Sequence, residues 1–201
     1  MLEITKIRKL VIYLFAAICL TNCTKKKQNN QWEIAEINAT IFQDSIYMEL
    51  DKQPELFSAL ETQDPLMKRT SDVAYFSGHK LNIKDDKYAK FNNCRAYFFH
   101  SDTLSINIGI GNGFGGHGFI IRYNSKKFYT EPYFSTDVIY SDEVEPTYKI
   151  VYQKLILDKA SYSSGDSLYG HIDFKSIETD KEKNTAEHFG KGYFRTKVNE
   201  L

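Results

Sequence analysis

The chain has 201 residues with 26 basic and 26 acidic side chains, so its formal net charge is zero. The length favours a single folded domain, and the balanced charge gives no indication of the strongly basic face that nucleic-acid binding requires. Aromatic residues make up 14% of the chain, with 14 Tyr and 14 Phe but one Trp, a composition typical of half-buried β-strands.

The first 22 residues have the pattern of a secretory signal peptide. Lys6, Arg8 and Lys9 precede an apolar run over residues 10–20. As a helix, this run would span about 16 Å, which is too short for a hydrocarbon core about 30 Å thick. A basic start followed by a short apolar core is typical of a cleaved signal and not of a membrane helix.

The residues at the end of the apolar run, Leu20-Thr-Asn-Cys23, resemble the lipobox of bacterial lipoproteins. Leu20, Thr21 and Cys23 fit the usual pattern, and Asn22 is larger than the residue that usually precedes the cut. The resemblance implies cleavage before Cys23, a diacylglycerol thioether on its sulfur and an acyl chain on its new amino group. Membrane lipid, reached through acylated Cys23, is therefore the first expected partner. The alternatives are a plain secreted protein and an uncleaved anchor.

Three parts are thus predicted: a signal peptide at 1–22, a lipidated flexible tether at 23–31 and one folded domain at 32–201. The tether is polar, and its Lys25, Lys26 and Lys27 favour contact with anionic headgroups. Neither an Asp nor an acidic run follows Cys23, and resemblance to lipoprotein sorting rules then implies the periplasmic face of the outer membrane. The whole chain also resembles uncharacterised lipoproteins of Bacteroidota-type bacteria, which implies no activity.

The folded part begins with two short β-like runs and one helix. Residues 37–42 and 45–50 are predicted as a hairpin around Gln43-Asp44. Residues 54–62 are predicted as the helix, because Pro54 suits a first helical position and Leu56, Phe57 and Leu60 share a face.

Most of the remaining chain is predicted as short strands. They are expected at 73–76, 80–83, 95–100, 104–110, 119–123, 127–134, 148–157, 168–174 and 193–198. Residues 148–157 are apolar on both faces, which favours a central strand covered on both sides, and the charged residues 175–190 are predicted as a loop. Short strands at this spacing indicate an antiparallel β-sandwich, Ig-like or related, with one short α-helix.

The segment Tyr162-Ser-Ser-Gly165-Asp166-Ser-Leu168-Tyr-Gly170 resembles a turn of bacterial Ig-like and arrestin-like sandwiches. The resemblance implies that Gly165 makes the turn and that the following strand enters the core.

The three cysteines divide by position. Cys19 leaves with the signal and Cys23 is acylated, so Cys94 has no intramolecular disulfide partner. Cys94 opens a strand-like run, and we predict that it is buried as a small hydrophobic residue; a catalytic thiol is the alternative.

Six of the eleven glycines lie between residues 109 and 118. Gly111, Gly113 and Gly116 satisfy G-x-G-x-x-G, but a strand-like segment follows where dinucleotide binding requires a helix. The run is therefore predicted as a hairpin loop with positive φ angles. The alternative is a loop shaped for close approach of a partner or ligand, with Asn112, Phe114 and His117 exposed.

Catalytic and metal motifs are absent from the sequence. No G-x-S-x-G or H-E-x-x-H occurs, and His171 and His188 are predicted to be solvated on a polar strand face and in a charged loop. A site built across strands, such as His117 with Glu131, is an alternative. We predict no metal and no cofactor. Tyr123, Tyr129, Tyr133 and Tyr140 are candidates for a carbohydrate or protein surface, with core packing as the alternative.

These observations lead to one hypothesis and two alternatives. The hypothesis is a membrane-anchored envelope lipoprotein that acts as a non-enzymatic binding or assembly module for an envelope protein or glycan. The alternatives are an immunity-type protein that neutralises a periplasmic toxin and a hydrolase or carbohydrate-active protein with a loop-built site.

Overall fold

A computed structural model describes residues 32–56, 67–78, 89–99, 102–111, 114–137 and 145–200. The signal peptide, Cys23, the tether and the predicted strand 80–83 lie outside these ranges. The elements in chain order are β1 (Glu33–Ile34), β2 (Glu36–Ile37), a 3₁₀-helix (Ile41–Gln43), α1 (Ser45–Asp51), β3 (Ala74–Gly78), β4 (Asn93–Phe99), β5 (Thr103–Gly111), β6 (Gly115–Asn124), β7 (Lys127–Thr136), β8 (Thr147–Leu157), β9 (Ser167–Thr179) and β10 (Thr185–Asn199). In these ranges we find no helix with the length and apolar character needed to cross a membrane.

The strands form a mixed ten-stranded sheet in the order β1-β7-β6-β5-β4-β10-β9-β8-β2, with β3 paired to β10. Most neighbours are antiparallel; β4 with β10 and β2 with β8 are parallel. The prediction of a mainly β fold with a short helix is confirmed. Because only Ala35 separates β1 from β2, the two ends of the strand order are adjacent in sequence. This arrangement is compatible with a sandwich.

The core lies between the two halves of the sheet. In β9, Leu168, Ile172 and Phe174 are fully buried and alternate with partly exposed residues, as the sequence pattern predicted. Phe174 meets Phe119 of β6 with ring centroids 4.6 Å apart. Large apolar side chains from both halves of the sheet therefore stabilise the fold by leaving water.

The helix lies earlier in the chain than predicted. Residues 45–51 form α1, and the predicted hairpin around Asp44 is wrong. The Asp44 carboxylate instead accepts a hydrogen bond from the Ile46 amide (3.1 Å), which is the role of an N-cap. Tyr47 and Leu50, three residues apart, are the buried face of the helix. Residues 54–56 of the predicted helix are not helical, and its remaining residues lie outside the described ranges.

The strand predicted over residues 148–157 is found, but the prediction that both of its faces are covered is wrong. This strand, β8, pairs with β9 along its length but with β2 over only two residues, and Val151 is 50% exposed. A β-bulge between Ile150 and Tyr152 shifts the register. A bulge exchanges the positions that face inward: even-numbered residues do so before this bulge and odd-numbered residues after it. Apolar residues therefore occur at both odd and even positions although only one face of the strand is buried.

Residues 175–190, predicted as a loop, continue β9 and begin β10. Only residues 180–184 form the turn between them. The charges pair across the outer face, with Lys175 Nζ 2.8 Å from a Glu187 oxygen and Lys191 Nζ 2.7 Å from an Asp173 oxygen. Cross-strand ion pairs of this kind let a charged segment form a sheet.

Two other predictions are confirmed. Gly165 has a φ of 86° in a turn, and Leu168 enters the core directly after it. Cys94 is fully buried, and this burial raises the pKa of its thiol, so the group is not a reactive thiolate.

Candidate functional site

The glycine-rich run forms the β5–β6 hairpin, as predicted, but its glycines lie mostly within the strands. Gly109 is opposite Gly118 and Gly111 is opposite Gly116 in the register. The predicted positive φ angles are not found at Gly109, Gly115, Gly116 or Gly118. The glycines are therefore needed for packing and not for turn geometry.

Side chains and backbone crowd the glycines from the neighbouring strands. A Cβ at Gly118 would clash with the Ile108 carbonyl, and a Cβ at Gly109 would clash with the Tyr133 phenol. Tyr133 lies directly opposite Gly118 in the β6–β7 register. The aromatic ring thus covers part of the glycine surface, while the missing side chains at Gly111 and Gly116 leave a depression beside it.

This depression, which we call the glycine groove, has a volume of about 500 Å³. Its size lies within the range of small-molecule sites. Residues 94, 96, 106 and 108 face the core, so the polar residues that alternate with them put the groove on the opposite face of the sheet. The lining residues are Asn93, Arg95, Tyr97, Asn107, Gly109, Ile110, Gly111, Gly115, Gly116, Tyr133, Ser135, Asn199 and Glu200.

Two asparagines of the groove each use their amide nitrogen within the protein. Asn107 Nδ2 donates to the Tyr97 hydroxyl (2.9 Å), and Asn93 Nδ2 donates to the Leu56 carbonyl (3.1 Å). The Oδ1 atoms of Asn93 and Asn107 are buried and have no hydrogen-bond partner among the described residues. Because a buried acceptor without a partner is costly, a small shift of the two side chains that exposed these oxygens to a hydrogen-bond donor of a ligand would relieve both.

Arg95, the cationic residue among the described lining residues, is engaged internally. Arg95 Nη1 lies 3.1 Å from a Glu55 oxygen, and the second oxygen of this carboxylate accepts from Thr70 Oγ1 at 3.0 Å. Burial, followed by the neighbouring Tyr97, raises the pKa of Tyr133, so its phenol stays protonated at neutral pH. Apart from the carboxylate of Glu200, the groove therefore offers neutral polar groups to a ligand.

The residues predicted as ligand contacts do not line this groove. Asn112 lies outside the described residues; Phe114 is 72% exposed, and His117 is exposed on the other face of β6, with its ring 6.3 Å from that of Tyr75. Glu131 is opposite Ile120, three residues from His117, so the two side chains leave opposite faces of the sheet. The alternative site that combined His117 with Glu131 is therefore wrong.

His188 is buried, and the prediction that it is solvated is wrong. Its Nδ1 is 2.9 Å from the Tyr75 hydroxyl and its Nε2 is 2.7 Å from a Glu178 oxygen. Burial lowers the pKa of His188 against the opposing effect of Glu178. His171 is half-buried, its pKa is also lowered by burial, and its ring packs 4.7 Å from Tyr193.

The order hydroxyl–imidazole–carboxylate in this cluster is that of a nucleophilic triad. Tyr75 is only 4% exposed, however, and burial raises the pKa of its hydroxyl. A group that is both inaccessible and less acidic is not an activated nucleophile. The cluster therefore satisfies buried polar groups inside the core.

In the described part of the chain, no three His, Cys, Asp or Glu residues are grouped as a metal site would require.

Comparison of the chain with protein families, curated proteins and solved structures gives no match.

Sequence reasoning missed the glycine groove although its signal was present. Gly109 and Gly111 continue the alternation of Ile106, Ile108 and Ile110, so the strand pattern extends into the run that was predicted as a loop. Glycines at alternate positions of two paired strands indicate a patch of sheet without side chains.

Proposed function

We propose that this protein is a lipid-anchored lipoprotein of the cell envelope and that its folded domain is a non-enzymatic binding module with the glycine groove as its ligand site. The observation that carries the binding role is the pair of buried, unpartnered amide oxygens of Asn93 and Asn107 in a groove of ligand size. The anchor is supported by the basic start, the short apolar run and Leu20-Thr-Asn-Cys23.

The anchor is tested by comparing the wild-type protein with Cys23→Ala in fractionated cells. The wild type should pellet with membranes, begin at residue 23 and carry the mass of a diacylglycerol and an acyl chain. The variant should be recovered in the soluble fraction or as an unprocessed precursor. A membrane form with an unmodified thiol at residue 23 would refute the anchor.

The binding role is tested with a variant that fills the groove. Ser135 lies at the groove wall on β7, where an aromatic side chain is compatible with a strand. Ser135→Trp should abolish binding of the purified protein, kept in detergent, to cell envelopes of the producing bacterium from which the lipid has been extracted, so that the anchor does not contribute. Phe134→Trp is the matched control, because residue 134 is 76% exposed and its side chain leaves the opposite face. Equal binding by both variants would remove the groove from the proposal.

The same experiment separates the two alternatives. An immunity-type protein would retain a single toxin in a stoichiometric complex, and a hydrolase would release a cleaved product from the envelopes during incubation.

A further inference from the structure

We infer that the ligand of the glycine groove is a neutral carbohydrate, recognised by its hydroxyl groups and by the C–H face of a sugar ring. This inference rests on the proposed function, because it names the ligand class of the same site.

The backbone of the groove floor is not open to an added peptide strand. β5 and β6, which supply the glycines, each pair with a strand on both sides: β5 with β4 and β6, and β6 with β5 and β7. Their amide and carbonyl groups are used in these ladders, so the floor cannot recognise a peptide by strand addition. Recognition in the groove must come from side chains and from contact with the bare glycine surface.

The side chains of the groove do not suit an apolar or an anionic ligand. Ile110 is the one aliphatic residue among the described lining residues, and it shares a face with the core residues Ile106 and Ile108, opposite the groove. The guanidinium of Arg95 is paired with Glu55, and Glu200 adds a carboxylate to the rim. An anion would meet the Glu200 carboxylate and the two amide oxygens, all of which are hydrogen-bond acceptors.

A sugar matches the groups that remain. The Oδ1 atoms of Asn93 and Asn107 require donors, and sugar hydroxyls supply them. Asn93 is 5% exposed, and its orientation is fixed because the Leu56 carbonyl can only accept the Nδ2 hydrogen. Tyr97 and Tyr133 add two phenol groups and two ring faces, and the absence of side chains at Gly111 and Gly116 lets a flat ring approach the backbone.

The test measures binding of the full-length protein, in detergent, to immobilised envelopes of the producing bacterium from which the lipid has been extracted. One sample of envelopes is oxidised with periodate, which cleaves the carbon–carbon bond between vicinal hydroxyls, and another is digested with protease. Binding should fall at least about tenfold after periodate and should survive protease, and oligosaccharides released from the envelopes should compete. Ser135→Trp should lose this binding and Phe134→Trp should keep it.

Two further variants address the named contacts. Tyr97→Ala and Asn107→Ala should each weaken binding about tenfold. Melting temperatures within a few degrees of the wild type will show that both variants are folded.

The negative outcomes are distinct. Groove-dependent binding that survives periodate and is lost after protease would overturn the carbohydrate inference and leave the binding module in place. Binding to untreated envelopes that Ser135→Trp does not change would overturn the proposed function of the groove, and the carbohydrate inference with it.

Discussion

His188 occupies a position where its protonation is linked to folding. When the imidazole carries its proton on Nε2, the Tyr75 hydroxyl donates to Nδ1 and Nε2 donates to Glu178, so every polar atom of the ring is satisfied. Tyr148 packs against the same ring at 5.7 Å. Burial in this cluster lowers the pKa of His188, which means that the unfolded chain binds a proton more readily than the native protein does.

We therefore expect the free energy of unfolding to decrease as the pH falls below about 6.5. Such a base stabilises the native protein at pH values above the pKa that it has in the unfolded chain. This contribution to stability is lost as the pH falls through the pKa that it has in the native protein. The slope for one histidine cannot exceed about 1.4 kcal/mol per pH unit. Urea denaturation at intervals between pH 7.5 and 5 measures it. His188→Gln should make the free energy of unfolding depend less on pH. Burial also lowers the pKa of His171, so the matched variant His171→Gln should reduce the pH dependence only by the contribution of His171. If the free energy of unfolding of His188→Gln depended on pH as steeply as that of the wild type, His188 would not be the group responsible.

At the level of elements, α1 depends on its cap because it has only seven residues. A helix of this length is marginal without tertiary contacts, which Tyr47 supplies by donating to the Gly170 carbonyl at 3.1 Å. Asp44→Ala should lower the free energy of unfolding by about 1 kcal/mol, because the Ile46 amide loses its acceptor. Asp44→Asn keeps an acceptor at the cap and should cost much less. Chemical denaturation of both variants tests this, and an equal loss would mean that the charge of Asp44, and not its cap, matters.

The elements that could be predicted from sequence are those with uninterrupted local alternation. β9 from Leu168 to Phe174 and β5 from Leu104 to Ile110 are of this kind, because a residue pattern of period two specifies which face is buried. β8 was placed correctly, but its exposure was not predicted since its bulge reverses the pattern, and α1 was missed since it contains less than two turns of helical period. In these cases the decisive interactions are tertiary.

The candidate site was less predictable than the fold. His188 joins Tyr75 across 113 residues of sequence, and no local pattern reveals such a contact. The glycine groove arises from glycines in β5 and β6 together with Asn93 and Tyr97 of β4 and Tyr133 of β7. The glycine run drew attention to the correct part of the chain, but its exposed residues Phe114 and His117 do not line the groove. The pairing of the strands decides which residues do.

For the molecule as a whole, the described chain begins with an exposed apolar surface. Its members are Trp32 (42% exposed), Ile34 (77%), Ile37 (38%), Phe42 (49%) and Met48 (61%). Ile34 is opposite Lys127 at the start of β7, and Ile37 is opposite Leu157 at the end of β8. The groove residue Ser135 lies eight positions further along β7, about 27 Å at 3.4 Å per residue. The ring of Trp32 lies 4.7 Å from that of Tyr129, four positions before the groove residue Tyr133, so the N-terminal apolar surface adjoins the first part of this strand and the groove its last part.

An acylated Cys23 would hold the N-terminal apolar surface close to the bilayer. Eight residues lie between Cys23 and Trp32, and the nine Cα–Cα steps reach at most about 32 Å. Trp and aliphatic side chains favour the membrane interface, and Lys126 and Lys127 beside Ile34 favour anionic headgroups. We expect this end to rest on the lipid, with the groove directed away from it.

Trp32 reports this orientation directly because it is the one Trp in the chain. In vesicles that contain anionic lipid, the emission of the lipidated protein should shift to shorter wavelength, and lipids brominated near the headgroup should quench it. Ile34→Asp should reduce both effects without releasing the protein, since the acyl chains still hold it. Membrane-bound protein with unquenched Trp32 emission would contradict the orientation but not the anchor. Protein that fails to bind the vesicles would contradict the anchor itself, so the two parts of the proposal are separated by one measurement.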